Sequence, residues 1–410
     1  MNLVEKQIIS RNDKRYNELM SLCHLSKNLY NSVLYTIRQH WFETVNDDTV
    51  EHKFLNYYDV YHRIVKDKNP DFYALQYHSA QLVIKDVESN FASFFGLLKL
   101  KRQGKYDKKV KLPKYLPKDG YHVLKFDTIN KREFKKTGYI KLPKTNLKFK
   151  TKQKDIKFVS ITPKNDYVVI AFMSKVNEKP LKKDNGKYFA IDIGIDNLAT
   201  VSSNFEKPFI IDGKKVKHIN QFYNKKTSEI KSELKKKNNR NFSHRTRQLT
   251  LKRNNKIDDY FHKASRYIIN QAVSKDVSTI IVGHNKNWKQ EMNIGKNNNQ
   301  NFVQIPFDKM IWFLKYKGKL EGINVIEIEE GYTSKCSALD NESIEKHEEY
   351  LGKRVKRGLF KTKTGILVNA DVNGSLNIMR KYKKCNCDVL LKQNQQMQGL
   401  VLNPVKVKLD

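Results

Sequence analysis

The chain has 410 residues, which is enough for two or three domains with sizeable cores. Its 79 Lys and Arg residues against 43 Asp and Glu residues give a formal net charge of +36. A charge of this size repels itself unless a polyanion neutralises it, which argues against an ordinary metabolic enzyme. The 39% of hydrophobic residues, with 21 Tyr and 21 Phe, argue against a disordered chain.

The same composition points to nucleic acid in a reducing compartment. The sequence has no run of 18 apolar residues, no apolar run at its start, and only four Cys. Its cations are spread along the chain instead of lying on one amphipathic helix, which favours nucleic acid over a membrane surface. We therefore expect a cytoplasmic protein that associates with the nucleoid when bound to DNA.

The first half of the chain predicts helices inserted into a β domain. Leu3 to Ser10 is a candidate first strand, and residues 15–100 are mostly helical, with an apolar stripe at three- and four-residue spacing. That stripe comprises Leu19, Leu22, Leu25, Leu29 and Val33. Residues 101–183 contain prolines and short β-rich runs, for example 157–161 and 167–172.

From residue 187 onward the sequence predicts an α/β sheet. Apolar strands at 188–194, 278–283 and 324–330 alternate with helical segments, one of them at 307–320. Residues 214–256 hold fifteen Lys and Arg against two Glu, which predicts a basic helix pair along a phosphate backbone. A polar hairpin follows at 336–367, then a helix that ends near Lys381 and a tail at 383–410 that we expect to be flexible.

Two aspartates are candidates for metal chemistry. Asp192 lies in an apolar strand, where a carboxylate is costly unless it is paired or binds a cation, and Asp371 lies at the start of the last helix. Converging carboxylates in a basic protein suggest phosphodiester hydrolysis with Mg²⁺ or Mn²⁺. The alternative is that Asp192 forms a strand-end turn and Asp371 caps its helix.

The motifs around these aspartates resemble those of the TnpB family of transposon-encoded RNA-guided nucleases, which is related to type V CRISPR effectors. Residues 191–200, IDIGIDNLAT, look like the first RuvC motif, and residues 370–378, ADVNGSLNI, look like the third. Residues 332–335, YTSK, look like the segment that leads into the zinc ribbon of the family. The resemblance covers essentially the whole chain and implies that Asp192 and Asp371 are catalytic metal ligands.

The second RuvC motif departs from the family pattern. Its glutamate is expected where Gly283 ends a strand. Either the site is inactive, or Glu329 or Glu330, which follow the neighbouring strand, supplies the third catalytic ligand. Strand alternation allows only one of these two to face the metal, and we favour such a relocated glutamate. Glu291 is a more remote candidate.

The zinc ribbon is also incomplete. Cys336 and His347 are two possible ligands where tetrahedral zinc needs four, and Cys385 and Cys387 have the wrong spacing. We therefore expect no structural zinc in this segment.

Two groups of cations are predicted to bind nucleic acid. One lies in and next to the ribbon-like segment, near the expected cleavage site, and the other lies on the basic helix pair, where it would follow a phosphate backbone. The first comprises Lys335, Lys353, Arg354, Lys356 and Arg357; the second comprises Arg240, Arg245, Arg247, Lys252 and Arg253.

The resulting prediction is a protein of α/β, α and β modules. It has a β-barrel-like wedge domain (1–10 and 101–183), a helical recognition insertion (11–100) and an RNase H-like RuvC nuclease domain (184–335 and 368–382), interrupted by a degenerate ribbon insert (336–367). The resemblance implies an RNA-guided endonuclease that carries a guide RNA from the transposon end and cuts double-stranded DNA beside a short motif. Our default expectation is one protomer per RNA. The alternatives are a nuclease-dead RNA-guided repressor and, more weakly, a structure-selective nuclease without a guide.

Overall fold

A computed structural model describes residues 1–50, 54–285, 305–382 and 404–409 of the chain. It divides into two compact units, Met1–Val176 and Asn177–Asp410. Within the described ranges, no helix combines the length and the apolar character needed to cross a bilayer. Cys23 and Cys336 are buried free thiols.

The first unit contains a four-stranded antiparallel sheet. Its strands are β1 (Asn2–Ser10), β2 (Leu124–Phe126), β5 (Ile156–Pro163) and β6 (Tyr167–Lys175), in the order β1-β6-β5-β2. The first strand thus pairs along its whole length with the last one in this unit, from Asn2 opposite Lys175 to Ser10 opposite Tyr167. A small hairpin of β3 (Tyr139–Lys141) and β4 (Lys148–Lys150) follows the short helix α5 (Lys131–Thr137).

Apart from α5, the helices described in the first unit lie in the chain between β1 and β2. They are α1 (Tyr16–Thr44), α2 (Tyr57–Lys66), α3 (Pro70–Ala74) and α4 (Tyr77–Arg102). The predicted apolar stripe of α1 is buried at Leu19, Leu29 and Val33, and α4 buries Val83, Ile84 and Val87 in the same cluster. Asn56 begins α2 with a capping box, because its side chain accepts from the N–H of Asp59 while Asp59 accepts from Asn56.

The second unit is built on a six-stranded mixed sheet. Its strands are β7 (Tyr188–Asp192), β8 (Asn197–Ser203), β9 (Phe209–Asp212), β10 (Thr279–Gly283), β11 (Asn324–Ile328) and β15 (Val405–Val407), in the order β11-β10-β7-β8-β9-β15. The strands β7, β8 and β9 form an antiparallel meander, and β10 runs parallel to both β7 and β11. The predicted alternation of strands and helices after residue 187 is therefore confirmed.

Helices cover both faces of this sheet. Phe189 and Ile191 of β7 pack with α7 (His244–Ser274) and α8 (Phe307–Leu320), while Tyr188 and Ala190 pack with Ile378 and Met379 of α9 (Ala370–Lys381). The long basic helix α6 (Lys214–Asn238) precedes α7 and pairs with it. Because side chains alternate along a strand, Asp192 at the end of β7 falls on the α9 face.

Two parts of the second unit differ in detail from the prediction. The hairpin β12 (Lys353–Lys356) and β13 (Leu359–Lys361) gains a third strand, β14 (Leu367–Asn369), which leads directly into α9. Part of the tail that we expected to be flexible forms a strand, because Val405–Val407 extends the main sheet in parallel with β9. Residues 383–403, including Cys385 and Cys387, lie outside the described residues.

Candidate active site at the end of the central strands

Asp192 lies at the end of β7, the central strand of the larger sheet. It stands opposite Thr200 of β8, and the two side chains share one face because antiparallel partners point to the same side. Thr200 is fully buried, and its hydroxyl has no hydrogen-bond partner among the described residues. A polar group of this kind next to Asp192 is typical of a site that completes its contacts with a ligand.

The carboxylate of Glu330 lies against Gly283. The register of β10 beside β7, with Val282 next to Ile191, brings Gly283 beside Asp192 on the α9 face. A Cβ atom at position 283 would stand 2.5 Å from Glu330 Oε1 and 2.8 Å from its Cγ. The side chain of Glu330 thus occupies the place where a side chain at position 283 would begin.

Of the two predicted glutamates, Glu330 is the one that faces Asp192. Strand β11 ends at Ile328, so both glutamates follow the strand instead of ending it, and Glu329 is exposed. The amide of Glu330 donates to Asn285 Oδ1 at 2.9 Å, and that of His284 donates to the carbonyl of Ile328. These bonds extend the β10–β11 pairing and fix the backbone of Glu330. Glu291 lies outside the described residues.

Asp371 approaches from the start of α9, but it does not cap that helix. The cap is Asn369, whose Oδ1 accepts from the N–H groups of Asp371 and Val372, so the capping alternative for Asp371 is wrong. The carboxylate of Asp371 is therefore available for other contacts. It accepts a 2.7 Å hydrogen bond from Asn197 Nδ2 and lies 3.7 Å from Arg354 Nη2.

The three carboxylates interact electrostatically. Removal from water raises the pKa of Asp192 well above its ordinary value, the charges of Glu330 and Asp371 raise it further, and Arg354 opposes them. Desolvation also raises the pKa of Glu330, against the effect of His284 and Lys381. A buried carboxyl group whose ionised form is disfavoured by two neighbouring carboxylates marks a place that a cation would stabilise.

The oxygen ligands at this site are of the type that a hard divalent cation binds, although the three carboxylates are not close enough to coordinate one ion together. Among the described residues, no group of three His, Cys, Asp or Glu side chains is close enough to share a metal ion. Still, α9 comes so near to β7 that a Cβ at Gly374 would stand 2.6 Å from Asp192 Oδ2. Oxygen ligands from Asp192, Glu330 and Asp371, with the unpartnered Thr200 hydroxyl beside them, are of the type that Mg²⁺ prefers.

The hairpin of β12 and β13 brings cations to the same region. Arg357 forms an ion pair with Asp196, which Lys217 also contacts at 2.8 Å. Burial alone would raise the pKa of Asp196, but the hydrogen bond from Lys217 and the charge of Arg357 lower it below its ordinary value. Of the other predicted cations in this group, Lys353 and Lys356 are exposed on β12, and Lys335 lies 5.8 Å above the ring of Tyr350.

The second predicted cation group lies on the α6–α7 pair. Arg240 lies in the turn between the helices, and Arg245 and Lys252 are exposed on α7, where Arg247 is half-buried. Arg253 differs from the others, because its Nη2 donates to Asn220 Oδ1 at 2.9 Å and its guanidinium lies over Tyr223. Burial between the helices lowers the pKa of Arg253.

Hydrogen bonds organise the segment that resembles a zinc ribbon. The buried carboxylate of Glu342 accepts from the N–H groups of Ser337 and Leu351, and Asp340 accepts from Ser337 Oγ and from the N–H of Lys363. His347 Nε2 lies 2.8 Å from the carbonyl of Ser343.

Sequence reasoning did not identify three polar residues of this site. Asn197 and Thr200 belong to the quoted first motif, but only the structure shows that Asn197 bonds to the distant Asp371 and that the register of β7 with β8 places Thr200 opposite Asp192. Asn285 follows a strand, which is a common place for functional side chains, and its bond to Glu330 crosses to the neighbouring strand.

Comparisons with known proteins find similar sequences over most of the chain. A family model described as "Probable transposase" (OrfB_IS605) matches residues 171–289, and one described as "Cas12f1-like, TNB domain" matches residues 307–378. A TnpB-like protein of Acidianus two-tailed virus is 23% identical over 406 residues, covering 89% of this chain and 83% of that protein. A TnpB-like protein of Methanocaldococcus jannaschii is 26% identical over 191 residues, covering 45% of this chain and 66% of that protein.

A solved structure shares the fold. Cas12f1, in a complex with sgRNA and target DNA, matches with a TM-score of 0.52 at 14% sequence identity. The match covers 88% of this chain and 82% of that one. The mixed α/β architecture is therefore one that this protein has in common with a Cas12 effector.

Proposed function

We propose that this chain, whose sequence is similar to TnpB-like proteins, is an RNA-guided endonuclease, encoded by a transposon, that hydrolyses double-stranded DNA beside a short adjacent motif. The observation that carries the proposal is the position of Glu330, whose carboxylate lies against Gly283 on the face that Asp192 shares. A relocated glutamate supplies the third carboxylate that the sequence lacks at position 283.

The proposal assigns a role to each module. We interpret the six-stranded sheet as an RNase H-like RuvC domain (184–335 and 368–382), with the degenerate ribbon (336–367) as a target-binding insert. In the first unit, the antiparallel sheet supports a wedge domain (1–10 and 101–183), and the helices that lie in the chain between β1 and β2 support a recognition insertion (11–100).

In the proposed mechanism, Asp192, Glu330 and Asp371 would hold Mg²⁺ or Mn²⁺. The bound metal would supply an activated water and stabilise the leaving oxygen of the phosphodiester. Asn197 orients the carboxylate of Asp371, and Asn285 fixes the backbone of Glu330. Arg354 lies beside Asp371, where its guanidinium is placed to pair with a phosphate of the bound strand.

The proposed partners are a guide RNA and double-stranded target DNA, with one protomer for each RNA. The net charge of +36 supports a polyanionic partner, and the structurally similar Cas12f1 is bound to sgRNA and target DNA. In this arrangement base pairing reads the target, while the protein holds the heteroduplex by its shape.

Plasmid cleavage in Mg²⁺ tests the proposal, with protein co-expressed with RNA from its own locus. We expect cleavage by the wild type and a loss on the order of 100-fold or more in Asp192→Ala and Glu330→Gln. Glu329→Gln is the matched control, because its side chain is exposed and adjacent in sequence, and it should cut normally. Loss in Glu329→Gln but not in Glu330→Gln would contradict the assignment.

The second candidate is a nuclease-dead RNA-guided DNA-binding protein. Gly283 at the position of the expected glutamate favours it, as does the absence of a tightly gathered carboxylate group in the described ranges. Guide-dependent DNA binding without any cutting by the wild type would support this candidate over the nuclease.

A further inference from the structure

A pocket of about 340 Å³, lined by polar and charged residues, lies along α6 near its carboxyl end. This volume is near the lower end of the roughly 300–1,000 Å³ typical of small-ligand sites. Its lining includes Tyr223, Asn224, Thr227, Lys231, Lys235 and Asn241. None of these residues belongs to the carboxylate site or to the two predicted cation groups.

One buried group in this pocket lacks a partner. Thr227 is 7% exposed, and its Oγ1 has no hydrogen bond to any part of the chain that the structure describes. Buried hydroxyls in folded proteins nearly always have a partner, and an unpaired one is destabilising. A ligand with hydrogen-bonding groups would satisfy the Thr227 hydroxyl.

The other lining groups indicate the chemistry of that ligand. Lys231 and Lys235 stand one helical turn apart and provide two cations for a phosphate. The amide of Asn241 offers a donor and an acceptor of the type that recognise a sugar or a base edge. Tyr223 is held in place by a 3.0 Å hydrogen bond between its hydroxyl and Thr250 Oγ1.

We propose that this pocket binds one unstacked nucleotide of a single-stranded RNA, with its phosphate at Lys231 and Lys235. RNA is preferred to DNA because a ribose 2′-hydroxyl, which both donates and accepts, can pair with the Thr227 hydroxyl and the Asn241 amide. The excess of cations over acids on α6 and α7 draws such a strand to this surface. The inference rests on the proposed function, since it assumes that the protein carries RNA.

The test measures binding of a fluorescein-labelled single-stranded RNA 20-mer, and of the DNA of the same sequence, to the full chain by anisotropy. Thr227→Val keeps the shape and charge of the side chain and removes the hydroxyl. We expect it to weaken RNA binding about five- to tenfold with little effect on DNA and no change in salt dependence. The Tm of Thr227→Val should equal or exceed that of the wild type. If Thr227 had only a structural role, the substitution would lower both the Tm and the RNA affinity.

Two lysine variants test the phosphate contact: Lys231→Gln changes a pocket residue, and Lys236→Gln is its matched control. Lys231→Gln should weaken RNA binding more than DNA binding, while Lys236→Gln, one charge removed outside the pocket on the same helix, should weaken both equally. RNA affinity unchanged in Thr227→Val, or RNA and DNA weakened equally by it, would overturn the pocket and leave the proposed function standing. A wild-type chain that binds no RNA would overturn both.

Discussion

Two glycines allow the carboxylates of the candidate site to come near one another. A Cβ at position 283 would collide with Glu330 and with Ile378 Cδ1 at 2.4 Å, and one at position 374 would collide with Asp192. Real Cβ atoms do not approach other atoms so closely. Gly283 is therefore required for the position of Glu330, as well as being the place from which the expected glutamate is missing.

This arrangement predicts the outcome of moving the glutamate back. In cleavage assays, Glu330→Gly should lose activity because it removes a carboxylate, and Gly283→Glu should be impaired because two side chains compete for one space. The double variant Gly283→Glu/Glu330→Gly restores one carboxylate and frees its space, so we expect it to cut faster than either single variant. A double variant no better than Glu330→Gly would mean that the two positions are not equivalent.

Lys317 on α8 gives a pH-dependent stability. Its side chain is buried, and its ammonium donates to the carbonyl of His262 and to Ser265 Oγ. Burial lowers the pKa of Lys317 to about 7, from an ordinary value of 10.5. Between these two values the unfolded chain binds one proton more than the folded chain, so this group makes stability rise with pH.

We expect the wild type to gain about 1.4 kcal/mol per pH unit relative to Lys317→Met between about pH 7 and 10. Below pH 6 both folded and unfolded wild type carry the proton, so the difference between the two proteins should be constant there. The measurement is the free energy of unfolding by urea across this pH range. A constant difference throughout would mean that the folded chain keeps Lys317 charged.

At the scale of elements, the ribbon-like segment is stabilised by buried hydrogen bonds. Glu342 accepts from two backbone N–H groups, the buried one of Ser337 and the partly exposed one of Leu351. Asn373 and Asn377 of α9 bind the carbonyl of Cys336 and so connect the segment to the helix that carries Asp371. The fold of this segment and the position of Asp371 are therefore linked.

Glu342→Ala should destabilise the protein by about 1–3 kcal/mol, because it leaves the buried N–H of Ser337 unpaired. Thermal unfolding should show a Tm lower by several degrees, while Glu349→Ala, an exposed residue of the same segment, should change little. A zinc-selective chelator, added in excess Mg²⁺, should leave the Tm of the wild type unchanged. A large drop in Tm under these conditions would instead reveal a structural zinc.

At the scale of the whole molecule, the net charge of +36 predicts RNA binding with strong salt dependence. Each phosphate contact with a single strand contributes a slope of about −0.7 to the logarithmic plot of affinity against salt. Replacing the exposed Arg240, Arg245 and Lys252 with Gln should therefore make the slope shallower by about 2 and weaken all RNA sequences alike.

The control is Lys263→Gln on the same helix, because Lys263 is already paired with Asp259 at 3.0 Å. It should leave the slope of the salt plot nearly unchanged. Equal slopes for the wild type and the triple variant would mean that α6 and α7 do not contact the phosphate backbone.

The local periodicity of apolar residues and the distribution of charge in the sequence were enough to predict many of the secondary-structure elements of this protein. The apolar strands around Asp192 and Gly283, the helix from 307 to 320 and the basic helix pair all follow from residues near one another in sequence, because burial of one face imposes a fixed spacing. The two motif aspartates were visible for the same reason, as polar residues within or beside apolar segments.

Only the tertiary structure decided the contacts between distant segments. It distinguished Glu330 from Glu329, brought Asn197 to Asp371, and paired Val405–Val407 with β9. It also placed Lys317 and Thr227 in buried positions, although both are polar residues in basic helices. Strand register and helix packing join residues far apart in the chain, and no local pattern encodes which of two adjacent side chains will meet a partner 140 or 170 residues away.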